Sequence, residues 1–102
     1  MSNIDIQDMQ ENALEALGLI KALANEHRLM ILCYLVDGEL SVGELNKRVT
    51  LSQSALSQHL AWLRKEGLVA TRKEAQTIYY SLNSNEARRV MELLHELYCN
   101  SH

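Results

Sequence analysis

Several things are missing from this chain. No apolar run reaches the roughly 18 residues a membrane-spanning helix needs, and no export-signal pattern opens the sequence. There are two cysteines in 102 residues, too few for the disulfide framework of a small secreted domain. These absences place the chain in a thiol-reducing cytoplasm, next to the nucleoid if it binds DNA. With four glycines there is no glycine loop to cradle a phosphate. Neither paired carboxylates nor a nucleophile–base constellation stands out, so an enzyme is not expected and no cofactor is implied. No repeat, linker or low-complexity tract divides the chain, which reads as one domain over residues 1–102. A chain this long can bury roughly 60–70% of its unfolded surface.

What is present is organised around residues 41–82, SVGELNKRVTLSQSALSQHLAWLRKEGLVATRKEAQTIYYSL. Ser41 followed by Glu44 is a capping box; it starts a short helix with Val42, Leu45 and Val49 on one side. Ser52 caps a second helix that runs to about Glu66, with Ala55, Leu56, Leu60 and Leu63 as its buried stripe and Trp62 at the edge. Gly67 stops it. The exposed face of this second helix keeps Gln53, Ser54, Ser57, Gln58 and His59, hydrogen-bonding groups rather than the Glu/Lys mixture of an ordinary solvated face. Two short helices joined by a tight turn, the second with such a face, describe a helix-turn-helix over 41–66. Behind it, 68–82 reads as a two-stranded wing, Leu68–Lys73 and Thr77–Leu82, with Glu74-Ala75-Gln76 at the tip. Ile78, Tyr80 and Leu82 alternate onto its core face.

Net charge is −3, which looks wrong for a nucleic-acid binder until it is divided. Residues 1–40 set Lys21 and Arg28 against seven acids, and residues 83–102 are also net acidic. Residues 41–82 set Lys47, Arg48, Arg64, Lys65, Arg72 and Lys73 against Glu44, Glu66 and Glu74. The positive charge therefore coincides with the helix-turn-helix and wing, where phosphate binding would need it.

Residues 1–24 read as a helix striped with Met9, Ala13, Ala16, Leu17, Ile20 and Leu23. Asn25 caps a mostly apolar helix, Glu26 to Asp37, that suits the centre of the core; it carries Cys33. A last helix runs from Asn83-Ser84 to Cys99, with Val90, Met91, Leu94, Leu97 and Tyr98 on one side. The expected fold is mainly α with a β-hairpin wing, α-α-α-α-β-β-α. The terminal helices (1–24 and 83–99) either cover the monomer core or pack against a second copy. Pairing into a homodimer is the economical solution, and a twofold would set two recognition helices ~34 Å apart on double-stranded DNA. Gln53, Ser54, Ser57, Gln58 and His59 are then the candidates for base edges. Ser52 with the helix N-terminus would hold a phosphate. Arg72, Lys73 and Gln76 would reach the flanking backbone from the wing, and Lys47, Arg48, Arg64 and Lys65 are further phosphate candidates.

These stretches, with ALANEHRLMILCYL before them and LLHELYC after, resemble the ArsR/SmtB family of winged helix-turn-helix regulators over nearly the whole chain. Within it they are similar to the HlyU/BigR/SqrR branch, the HlyU type in particular. The resemblance implies homodimers that bind imperfect inverted repeats and respond to a chemical signal. Many members repress; HlyU-type proteins relieve silencing by a nucleoid protein and so activate virulence genes.

The family's metal sensors carry a cysteine pair in an ELCxC run, and here that run is Glu39-Leu40-Ser41-Val42-Gly43. The other common site, on the last helix, is replaced by Asn83, Ser84, Asn85 and Arg88 at its start, with only His95 near its end. Neither site is complete, and His27, His59, His95 and His102 lack metal-pair spacing, so no metal is expected. A metal-responsive regulator remains the alternative, together with a DNA binder whose cysteines sense nothing and a winged helix used for protein contact. Spacing alone favours Cys33 as a small core hydrophobe and Cys99 as a frayed-end thiol. The resemblance implies more: in this branch two cysteines, matching Cys33 and Cys99, sense reactive sulfur or oxidants. Their link, a disulfide or polysulfide, weakens DNA binding. His95, one turn before Cys99, could favour its thiolate.

Overall fold

The computed structural model describes residues 5–99. In order its elements are α1 (Ile6–Leu23), α2 (Glu26–Leu35), β1 (Leu40–Ser41), α3 (Val42–Arg48), α4 (Gln53–Lys65), β2 (Val69–Glu74), β3 (Thr77–Leu82) and α5 (Asn85–Tyr98). The first four residues of the span read as the amino-terminal helix lie outside the described residues.

The helices begin where short polar side chains can take up the unpaired amides of a first turn. The Asn25 Oδ1 accepts from the N–H groups of His27 and Arg28, each at 3.0 Å. Ser41 Oγ accepts from the Glu44 N–H at 3.1 Å while the Glu44 carboxylate accepts from the Ser41 N–H at 2.9 Å, completing the capping box. That contact with the Ser41 amide holds the Glu44 carboxyl below its ordinary value. Ser52 caps α4 through the Ala55 N–H at 3.1 Å, and Ser84 caps α5 through Ala87 at 3.0 Å. With no proline in the chain, helix ends rely on other devices. Gly67, at φ +80, turns the chain out of α4 through a conformation that a side chain would strain. The second helix stops at Leu35, two residues short of the expected Asp37. Its last turn tightens there, the Val36 N–H reaching back only to the Cys33 carbonyl at 3.2 Å.

The core is built around α2, whose Ile31, Leu32 and Leu35 are fully buried. They meet Leu45 and Val49 of α3, Leu56, Leu60 and Leu63 of α4, Leu68 and Val69 at the start of the wing, and Ala87 and Met91 of α5. Each of the Val, Leu, Ile and Met side chains among them contributes about 1.5–3 kcal/mol by leaving water. Only Ala22 is buried from α1, and Ile6, Leu14, Leu17 and Ile20 lie exposed along it. On α5, Leu93, Leu97 and Tyr98 are exposed likewise. The two terminal helices are thus amphipathic with little core to cover. Among the described residues no helix is long and apolar enough to cross a membrane.

The sheet has three strands in the order β1-β3-β2, not the two expected. Leu40 pairs antiparallel with Tyr80 and Ser41 with Tyr79, so the α3 cap residue also anchors the wing to the helix-turn-helix. A strand of two residues carries no alternation to read. The hairpin is tighter than its expected three-residue tip: Glu74 pairs with Thr77, leaving Ala75-Gln76 as the turn, with Ala75 at φ 56. Ile78 faces the same side as Tyr80, as expected, yet it is 40% exposed because the hairpin projects beyond the core.

Candidate nucleic-acid interface and cysteine pair

Helix α4 sorts its residues by face. Burying Leu56, Leu60 and Leu63 turns Gln53, Ser54, Ser57 and Gln58 outward, all of them exposed. Helical spacing sets this partition. Ser52 stands exposed at the helix start, its hydroxyl already engaged with the Ala55 amide.

Three of the expected contact residues come together. Lys47 from α3, Gln53 from the start of α4 and Gln76 from the wing tip line one open cleft of about 560 Å³, floored by Val42 and Ile78. In the same cleft the Asn46 Oδ1 is buried without a hydrogen-bond partner. Asn46 did not stand out in the sequence, since an Asn inside a short helix carries no local signal. Arg48 is exposed at the end of α3, its carbonyl accepting from the Tyr34 hydroxyl at 3.2 Å. Arg64 and Lys65 are exposed about 17 Å further along α4 from Gln53.

The wing separates its two cations. Lys73 pairs across the hairpin with Ile78 and so shares the sheet face that borders the cleft. Arg72 pairs with Tyr79 on the opposite face. Its guanidinium donates to both oxygens of Glu39, at 2.5 and 3.2 Å, and to Glu74 at 2.8 Å. It also lies 4.5 Å from the centre of the Tyr79 ring. The hydrogen bond from Arg72 holds the Glu39 carboxyl below its ordinary value, and Arg72 is held above its own.

His59 does not join the outward face of α4. It is half-buried, its ring 5.8 Å from that of His27 on α2. Desolvation lowers its pKa first, with smaller contributions from the charges of Arg28 and His27. Arg28 lies 4.3 Å over the Trp62 ring and donates to the carbonyls of Ala22 and Lys21 at 3.0 and 2.9 Å. This cluster locks the amino end of α2 to α4. The two histidines sit in separate helices, so no sequence spacing joined them. Among the described residues, no three His, Cys, Asp or Glu side chains gather as metal ligands would.

Both cysteines are free thiols. Cys33 is half-buried on α2 against the core, and Cys99 is exposed at the end of α5, its N–H donating to the His95 carbonyl at 2.8 Å. Helix α5 packs on α2, fastened by Arg88, whose Nη1 donates to the Val36 carbonyl at 2.7 Å. Burial pushes the Cys33 thiol up, and the charges of Cys99 and Asp37 push it the same way.

A family model described as "Bacterial regulatory protein, arsR family" matches residues 25–71, from the cap of α2 into β2. The transcriptional activator HlyU of Vibrio cholerae serotype O1 is 62% identical over 96 residues, covering 94% of this chain and 89% of the relative. The structure of reduced HlyU from Vibrio cholerae superposes with a TM-score of 0.87 at 64% identity, covering 91% of this chain and 98% of that one. The transcriptional repressor BigR from Xylella fastidiosa superposes equally well, with a TM-score of 0.87 at 38% identity over 94% of this chain and 98% of that one. A homodimeric winged helix-turn-helix DNA-binding domain from Mycobacterium bovis matches with a TM-score of 0.74 at 28% identity, over 95% and 89% of the two chains.

Proposed function

The chain belongs to the ArsR family of bacterial regulatory proteins, and on that premise we propose that it is a homodimeric DNA-binding transcriptional regulator governed by Cys33 and Cys99. It works in the cytoplasm on double-stranded DNA carrying an imperfect inverted repeat. The amino-terminal half of α4 enters the major groove. There Gln53 and Gln58 are suited to bidentate bonds with adenine, and Ser54 and Ser57 to permissive ones. Ser52, Lys47, Arg48, Lys73 and Gln76 flank them towards the phosphates. The exposed apolar stripes of α1 and α5 meet those of a second copy, as the homodimeric Mycobacterium bovis domain supports.

The observation that carries control by thiols is the packing of α5, which ends at Cys99, on α2, which holds Cys33. The chemistry is ordered by exposure. Cys99, exposed, attacks first as thiolate. With a peroxide it cleaves the O–O bond, takes one oxygen as sulfenic acid and releases an alcohol or water. With an organic persulfide it takes the outer sulfur and releases the thiol. Cys33, whose thiol burial pushes up, then gives its proton to solvent and attacks the Cys99 sulfur. That step expels hydroxide or hydrosulfide and leaves a disulfide; further sulfane transfer before closure leaves a polysulfide link. Either link ties the end of α5 to the core helix and changes the angle at which two subunits present their α4 helices. Groove spacing is fixed, so a shift of a few ångström loses contacts at both half-sites; a coupling of ~1–3 kcal/mol weakens binding about 5–150-fold.

The test is DNA binding by Cys33→Ser, Cys99→Ser and the double variant, before and after an organic persulfide or peroxide. All three bind as the reduced parent does and do not respond to treatment. Cys33→Ser still acquires the added sulfur or oxygen on Cys99, whereas Cys99→Ser acquires neither at neutral pH. A double Ser variant that releases DNA on treatment would sink the cysteine assignment and leave DNA binding standing.

A further inference from the structure

The wing carries a basic residue that its own carboxylates compete for. Arg72 stands on the sheet face away from the cleft, and three of its nitrogens are occupied: Nε and Nη2 by the two oxygens of Glu39, Nη1 by Glu74. The Tyr79 ring, 4.5 Å away, supports the guanidinium from the side. Exposed ion pairs are individually weak, so the strength of these contacts matters less than the charge they leave behind. One guanidinium between two carboxylates is net −1, on an element that would otherwise present +1 to a phosphate backbone. A phosphate approaching Arg72 finds only two of its five N–H groups unengaged, one on each Nη, and meets the repulsion of both carboxylates unless it displaces one.

We propose that Glu39 and Glu74 hold Arg72 back from DNA, making them affinity-limiting residues of the wing and leaving Lys73 as its phosphate contact. The proposal rests on the DNA-binding reading above. It also gives Glu39 a reason to precede β1, the strand that pins the wing: the restraint comes from the fixed body of the domain, so it does not move away with the hairpin tip.

The experiment compares the full chain with Glu39→Gln/Glu74→Gln, and with that variant further carrying Arg72→Gln. Each is titrated by fluorescence anisotropy onto a labelled mixed-sequence duplex of about 30 base pairs between about 0.1 and 1 M salt. Non-specific DNA suffices because the phosphate contribution is independent of sequence. The double Gln variant is expected to steepen the log–log salt slope by about 0.9 for each wing that gains a phosphate, which at 0.1 M amounts to about eightfold tighter binding for one wing and about 60-fold for the two wings of a dimer, with the curves converging near 1 M. Adding Arg72→Gln returns the slope to that of the parent. A double Gln variant that binds like the parent or more weakly overturns the inference while the parent's own salt-dependent binding keeps the DNA reading. A triple variant that retains the gain overturns the role of Arg72. A parent that ignores DNA at every salt concentration overturns both readings. Thermal unfolding accompanies each titration, and if the double variant fails to fold, Glu74→Gln alone, at a site whose side chain is 67% exposed, must give part of the gain or the inference falls.

Discussion

At the residue scale, His59 shows how the fold reassigns a side chain that sequence places on a surface. Helical spacing puts it on the same broad polar face as Gln58, but α2 closes over it, and burial together with Arg28 and His27 lowers its pKa below the ordinary 6.5. The unfolded chain therefore takes up a proton at a higher pH than the native one. Stability from this group is complete above about pH 6.5 and is lost as the pH falls through the native value. The unfolding midpoint is expected to drop between about pH 7 and pH 5, and His59→Gln to make that drop shallower. Chemical denaturation at a series of pH values checks it; an identical pH dependence in the variant would count against the account. The caps at Asn25, Ser41 and Ser52 were legible because each is a bond between neighbours in the chain. The His27–His59 contact and the caging of Arg72 join residues far apart in sequence, and no local pattern records them. Arg72 and Lys73 looked equivalent as adjacent cations, and only the register with Tyr79 and Ile78 separates them.

At the scale of the element, α4 carries the proposed base-reading face, and its inner stripe sets which residues face outward. Leu60 is central to that stripe and 1% exposed; Leu60→Ala is expected to cost about 2–5 kcal/mol through lost burial and a residual cavity. Ser52→Ala, which removes the cap, is expected to cost about 0.5–2 kcal/mol. Urea unfolding of the reduced protein reads both. A Leu60→Ala change no larger than that of Ser52→Ala would mean that α4 is not seated as described. Helix identities and the order of elements followed from apolar periodicity and turn residues, which are properties of a single segment. The third strand did not: Leu40–Ser41 is a strand only because β3 lies beside it. Ile78 followed its expected alternation but not its expected burial, since alternation assigns a face and says nothing of how far the core extends beneath it.

For the whole molecule, the uneven charge and the two outward apolar helices belong together. The positive charge is concentrated in residues 41–82 of an acidic chain, and the stripes on α1 and α5 leave an amphipathic frame that one subunit does not cover. Leu17→Glu/Ile20→Glu puts charge into the α1 stripe at positions 45% and 58% exposed in the single chain. It is expected to leave the helical content intact, shift the protein from dimer to monomer in sedimentation, and weaken binding to a two-half-site duplex far more than to a single half-site. Retained dimers would place the subunit contact elsewhere. What was legible in sequence is the surplus of amphipathic surface on the terminal helices, which the exposed Leu17, Ile20, Leu93 and Leu97 bear out. Cys33 and Cys99 were legible only as two cysteines on separate helices, since how α5 crosses α2 is a tertiary property that no segment records.

The most direct test of thiol control joins two readouts on one sample: intact mass and affinity for a duplex that the reduced protein selects from a random pool, before and after an organic persulfide. The account predicts a single-chain product lacking two hydrogens, with or without added sulfur atoms, whose affinity falls about 5–150-fold and returns on reduction. Full conversion to that internally linked product with undiminished affinity would contradict it.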